Sequence, residues 1–269
     1  MRAVLVLVIL VASWLGACPP VALAAAPSVY LEDLTWTEVR DAVASGTTTI
    51  IIPAGGTEQN GPHMALGKHN VRARALAGRI ARALGDTLVA PVIAYVPEGN
   101  VSPPTEHMRF PGTISVTPAT FTGTLEGAAQ SFRQAGFTHI VLLGDHGGYQ
   151  ELMKSAAQEL NRAWSATPAR AHFISEYYRV TQVAYVNALR AKGLSGSEIG
   201  EHAGVADTSL ALAVDPALVR TDRLATAHEA ASGVRGDPRH ATVALGQLGV
   251  DLIVNETVAA IRKARLEKR

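Results

Sequence analysis

The sequence has 269 residues, of which 48% are apolar and 17% charged, with a formal net charge of +1. That balance buries a large core and excludes a disordered chain. Aromatics stand at 5% and no long run of Lys or Arg occurs, so the basic stripe and stacking platforms of a nucleic-acid binder are missing and a small molecule is the expected partner.

The chain opens on Arg2, an apolar run over 3–17, the pair Pro19-Pro20 and a small-x-small site at Ala22-Leu23-Ala24. This is the pattern of a secretory signal peptide over 1–24, followed by a single domain over 25–269. The run ends short of the roughly 20 apolar residues that a spanning helix needs, so no membrane span is expected in the mature chain. Leu15-Gly16-Ala17-Cys18 supports a second reading, with Cys18 as a lipid-bearing first residue. Cleavage after Ala24 makes the expected location periplasmic or secreted, and the lesser Cys18 reading makes the chain a lipoprotein. Cys18 is the only cysteine, so cleavage after Ala24 leaves a chain without disulfide or thiol chemistry.

Further on, apolar and β-branched stretches predict strands over 47–53, 87–96, 138–144 and 171–175. Helical stretches alternate with them over 35–44, 70–84, 117–135, 149–164 and 180–192, then over 208–214 and 238–266. Thr35-Trp36-Thr37-Glu38 has the form of a capping box, and Asp237-Pro238 that of a capped helix start. The alternation predicts an α/β fold, a sandwich with a mainly parallel central sheet. In such sheets ligands sit beyond the carboxyl ends of the strands. Two polar clusters fall there: Gly55 to Asn70 after the first strand, and Gly144 to Gln150 after the third.

Five of nine histidines lie in Gly-rich or Pro-rich loops: His63, His69, His107, His146 and His202. Glu58, Glu106, Asp145, Glu201 and Asp207 accompany them. Imidazole with carboxylate and no thiolate suits zinc, manganese or iron. Glu106-His107-Met108-Arg109 reads equally as a substrate-facing loop and as an exposed charged turn. Tyr149 and Gln150 are placed to line a pocket, and Gly147-Gly148 to present backbone N–H groups to an oxyanion.

Several motifs, in order, resemble one known family. Glu58-Gln59-Asn60-Gly61-Pro62-His63-Met64, Phe110-Pro111-Gly112-Thr113, Gly144-Asp145-His146-Gly147-Gly148, Glu201-His202-Ala203-Gly204 and Gly233-Val234-Arg235-Gly236-Asp237-Pro238 are similar to motifs of the creatininase (creatinine amidohydrolase) family. The resemblance implies a three-layer α/β sandwich, homo-oligomers that are often hexamers, and divalent-metal hydrolysis of small cyclic amides or formamides by attack of metal-bound water. It also exposes departures. Asn60 stands where the family has a ligand histidine, His69 where it has a ligand aspartate, and Gly148 where creatininase itself has a ligand glutamate.

What the resemblance leaves is Glu58, His69 and His146 around one divalent ion, zinc before manganese or iron, with Asp145 and Asp207 as further ligands or as groups orienting them. By matching position His202 is the acid/base and Glu201 its orienting partner. His63 is expected beside the ion rather than on it. Two other readings stay open: a periplasmic binding protein that has lost its chemistry, and a lactonase or small-peptide hydrolase.

Overall fold

The computed structural model describes residues 27–227 and 232–267. The signal peptide expected over 1–24 lies outside the described residues. The elements run α1 (Trp36–Ala44), β1 (Thr49–Ala54), α2 (Lys68–Leu84), β2 (Thr87–Val89), α3 (Pro118–Gln134), β3 (His139–Gly144), α4 (Gln150–Ala163) and β4 (Arg170–Phe173). They continue with α5 (Glu176–Gln182), α6 (Ala184–Ala191), α7 (Gly196–Ile199), α8 (Val205–Val214) and α9 (Val243–Leu266).

The four strands form one sheet in the order β2-β1-β3-β4, parallel in every pairing. Successive side chains on a strand point to opposite faces, and β1 shows it. Ile50 and Ile52 join Phe121 and Leu125 of α3 and Met153 and Leu160 of α4 in one core. Ile51 faces the other way, onto Leu76 and Ile80 of α2 and Val250 and Ile253 of α9. Helices therefore cover both faces, which makes the three-layer sandwich and explains why the strands read as unbroken apolar runs.

Departures from the sequence reading have local causes. The second strand stops at Val89 rather than 96, because Pro91 cannot donate to a ladder, and an isolated bridge from Ile93 to Ala54 follows. The helix expected over 180–192 breaks into α5 and α6 at Val183, which leaves helical geometry at φ −123° and ψ −71°. Asp237 caps only a short 3-10 turn at Pro238–His240, while α9 starts later, its Leu245 N–H donating to the Thr242 hydroxyl. The capping box at Thr35 and Glu38 forms as expected. Although α9 is long and apolar enough to cross a membrane, it packs along α2, α5, α6 and α8 and buries Val250, Ile253 and Ile261.

Candidate metal centre

The loops that leave β1 and β3 emerge side by side, since those strands are hydrogen-bonded neighbours in register from Thr49/His139 to Ala54/Gly144. Two glycines let the first loop fold back over the sheet. A Cβ on Gly55 would collide with Asn70, and one on Gly56, at φ +148°, would collide with the carboxylate of Glu98. Close approach brings Glu98, from the segment after β2, up to the same spot. Residues next to two of the site histidines carry left-handed backbone, Glu106 at φ +46° before His107 and Ala203 at φ +57° after His202. Non-glycine residues take up such geometry at a cost, one that clusters at functional sites.

Glu58 is the centre of the cluster and is fully buried. Its Oε1 pairs with His69 Nε2 at 2.8 Å. Its Oε2 lies 3.1 Å from His107 Nε2 and 3.6 Å from His146 Nε2, yet has no hydrogen-bond partner. Among the described residues, one ligand atom from each of Glu58, His107 and His146 falls within 4.8 Å of the others. One carboxylate and two imidazoles around an orphaned oxygen is the donor set of a catalytic zinc site, so these residues fit a divalent cation.

His69 does something else. Its Nδ1 meets Asp145 Oδ2 at 2.6 Å, so both ring nitrogens face carboxylate oxygens. The ion-sized cluster therefore holds His107 in the place expected for His69. Asp145 is spoken for as well: Arg72 Nε donates to both its oxygens, at 3.1 and 2.8 Å, and the Tyr177 hydroxyl donates to Oδ1 at 2.8 Å. Asp207 pairs with Lys68 Nζ at 3.1 Å and Arg72 Nη1 at 3.0 Å, and accepts from the Ala203 N–H. Neither aspartate has an oxygen left for an ion in this arrangement.

Burial opposes charge on all of these acids, and local partners decide the outcome. For Glu58 the hydrogen bond and charge of His69 outweigh burial and hold the carboxyl far below its ordinary value. Lys68 and Arg72 do the same for Asp207. For Glu98, burial and then the Glu58 charge outweigh the opposing Lys68 charge and push it up to about 9.

The remaining expected site residues fall in three groups. His202 is buried, its Nε2 2.9 Å from the Gln59 carbonyl oxygen and its Nδ1 3.8 Å from Glu58 Oε1, at the edge of the cluster. Glu201 does not orient it: that side chain is 85% exposed and faces Arg235. The orienting work falls to Gln59, whose Nε2 lies 3.0 Å from His107 Nδ1, 3.1 Å from His202 Nε2 and 2.9 Å from the Gly233 carbonyl.

Tyr149 lines no pocket either. It is fully buried, its hydroxyl donating to the Ala54 and Gly55 carbonyls and accepting from the Asp145 and His146 N–H groups, which staples the β3 loop to the β1 loop. Gln150 braces the same turn by donating to the Gly144 and His146 carbonyls. The Gly148 N–H donates to His146 Nδ1 at 3.2 Å rather than to an open oxyanion site, and Gly147 packs against the Tyr178 hydroxyl. Asn60 donates to the Glu58 and Ala65 carbonyls, with its Oδ1 buried and unpartnered. His63 lies against Thr208, 3.0 Å from its hydroxyl.

Sequence reasoning missed Glu98, Lys68, Arg72 and Gln59. Lys68 and Arg72 are i, i+4 on α2 and share a helix face, but the expected start at 70 left Lys68 in the loop. Glu98, alone between Pro97 and Gly99, carries no sequence signal.

The buried histidines set a pH dependence. Burial lowers His63, His146 and His172 from 6.5 to about 4 and His202 to about 3. Between those values and 6.5 the unfolded chain binds more protons than the folded one, so stability falls as pH drops. Glu98, raised instead, acts in the opposite sense and offsets one of the four. At roughly 2 kcal/mol per histidine, metal-free protein is expected to lose several kcal/mol between pH 7 and about pH 4.5. Urea midpoints measured across that range check it; a flat profile contradicts the buried neutral state of these rings.

A parallel three-layer sandwich thus carries, beyond its strand ends, a buried carboxylate and imidazoles with the donor set for a divalent ion. The family profile described as creatininase, creatinine amidohydrolase, matches residues 32–261. Creatinine amidohydrolase of Pseudomonas putida is 32% identical over 203 residues, covering 73% of this chain and 76% of that protein. The mycofactocin precursor peptide peptidase of Mycolicibacterium smegmatis is 27% identical over 237 residues, covering 80% and 84%. A solved mutant creatininase of the Zn-Zn type superposes with a TM-score of 0.74 at 28% identity, over 89% of this chain and 99% of that one. The chain belongs to the creatininase family of metal-dependent amidohydrolases.

Proposed function

We propose that the protein is an exported amidohydrolase that cleaves a C–N bond in a small cyclic amide or formamide, using one divalent ion, zinc before manganese or iron, held by Glu58, His107 and His146. The observation that carries this is the unpartnered, buried Glu58 Oε2 facing two imidazole nitrogens. A short peptide is the second substrate class to test, because one relative is a precursor peptide peptidase.

When bound there, a divalent ion polarises a carbonyl and acidifies water. The chain's own groups supply the rest. His69 occupies Glu58 Oε1 and so turns Oε2 toward the two rings. His202 presents Nδ1 toward Glu58 at the edge of the cluster, the position from which an imidazole carries the proton that must reach the leaving nitrogen. Gln59 fixes both His107 and His202 from behind. Lys68 and Arg72 neutralise Asp207 and Asp145, the other acids beside the cluster.

Metal analysis of protein purified without added metal should return about one equivalent per chain. His107→Ala should lower that value sharply and abolish turnover of any amide found by screening cyclic amides, formamides and short peptides. Two tightly held equivalents, or full metal content in His107→Ala, would refute the one-ion site. N-terminal sequencing of the same preparation tests cleavage after Ala24; an intact Arg2 contradicts export by that route.

A further inference from the structure

Glu98 is the one acid of this cluster with neither carboxylate oxygen hydrogen-bonded: it is 3% exposed and lies against two candidate ligands. Its Oε2 stands 3.6 Å from His146 Nδ1, and its carboxyl also neighbours that of Glu58. A buried carboxyl without a hydrogen-bond partner costs stability, so its presence calls for a compensating role.

His146 has two ways to place its single proton. With Nδ1 accepting from the Gly148 N–H, as the 3.2 Å contact has it, the proton sits on Nε2 and faces Glu58. A ring that ligates an ion through Nε2 must carry its proton on Nδ1 instead. The Gly148 N–H then opposes it, and Glu98 Oε2 is a carboxyl oxygen 3.6 Å from it. A modest turn of either side chain brings 3.6 Å to hydrogen-bond length. Gly56 is what lets Glu98 sit there, because any Cβ at that position would strike the carboxylate.

We infer that Glu98 is a positioning residue for the metal: it accepts from His146 Nδ1 and holds that ring in the tautomer whose Nε2 binds the ion. The role rests on the one-ion reading above, with His146 as a ligand, and adds to it a group from the segment after β2 that no motif contains. Ligating histidines commonly donate their second ring nitrogen to a carboxylate, and loss of such a partner typically costs about 10–100-fold in metal affinity.

The test is zinc titration by calorimetry, with thermal unfolding of the same samples with and without zinc. Glu98→Ala is expected to weaken zinc binding by about 10–100-fold, and Glu98→Gln, which keeps an acceptor oxygen, by less. Metal-free Glu98→Gln should unfold at a temperature no lower than wild type, since an unpaired carboxyl has been removed, while gaining less from added zinc. A residue that merely supports the fold would lower the metal-free unfolding temperature and leave the zinc affinity of the folded protein unchanged. Zinc affinity in Glu98→Ala equal to wild type overturns the inference and leaves the one-ion site standing. Wild-type protein that binds no zinc overturns both.

Discussion

Glu58→Gln is expected to fold, to bind zinc more than about 100-fold more weakly than wild type, and to lose amide hydrolysis by at least about 1000-fold. Both losses follow from charge. Glu58 is the only acid within the three-residue cluster, and it stays ionised because His69 sits on Oε1. A neutral amide of the same shape can still accept from His69, so the loop that Asn60 braces through the Glu58 carbonyl keeps its geometry. What it cannot do is balance a divalent charge in a site where Lys68 already contributes a buried positive one. Calorimetry and a turnover assay on the screened amide measure the two losses. Near-normal zinc affinity in this variant would mean that the ion sits elsewhere and would end the case for this cluster.

The same residue shows where sequence reading works. Glu58 and His146 lie directly after strands whose apolar runs are continuous because both faces are covered, so the positions of the two loops follow from periodicity alone. The choice between His69 and His107 does not follow from it. His69 is two residues into α2, and its ring is captured by Asp145, a residue 76 positions away that the sheet delivers to it. His107 reaches Glu58 because the segment after β2 touches the end of β1 once more at Ile93 and then folds back over the β1 loop, Ile114 N–H donating to the Thr57 carbonyl. Local pattern marks a residue as polar and placed on a loop. Which carboxylate satisfies it is settled by tertiary pairing, and here those pairings also decide that Asp145 and Asp207 belong to Arg72 and Lys68.

That pairing gives the largest expected effect on stability. Arg72→Met should destabilise the metal-free protein by about 3–5 kcal/mol, the typical cost of breaking a buried ion pair from one side. Arg72 is 4% exposed and bridges two elements, gripping Asp145 from the β3 loop and Asp207 from α8. Burial alone would lower it, yet the Asp145 and Asp207 charges raise it above its ordinary value, so it is a fixed cation at any working pH. Methionine fills the volume and removes the charge. Asp207 keeps Lys68 and the Ala203 N–H, but Asp145 is left with His69 and Tyr177 alone. Arg72→Lys should not restore the loss, because one ammonium cannot reproduce the fork that spans both acids. Arg72→Met/Asp145→Asn should recover part of it by removing the stranded charge, and chemical denaturation of the four proteins gives the coupling energy directly. A coupling near zero, or a single-mutant loss under about 1 kcal/mol, would mean that the two acids do not depend on this arginine. Asp145 would then be open to an ion, while Asp207 would still be held by Lys68.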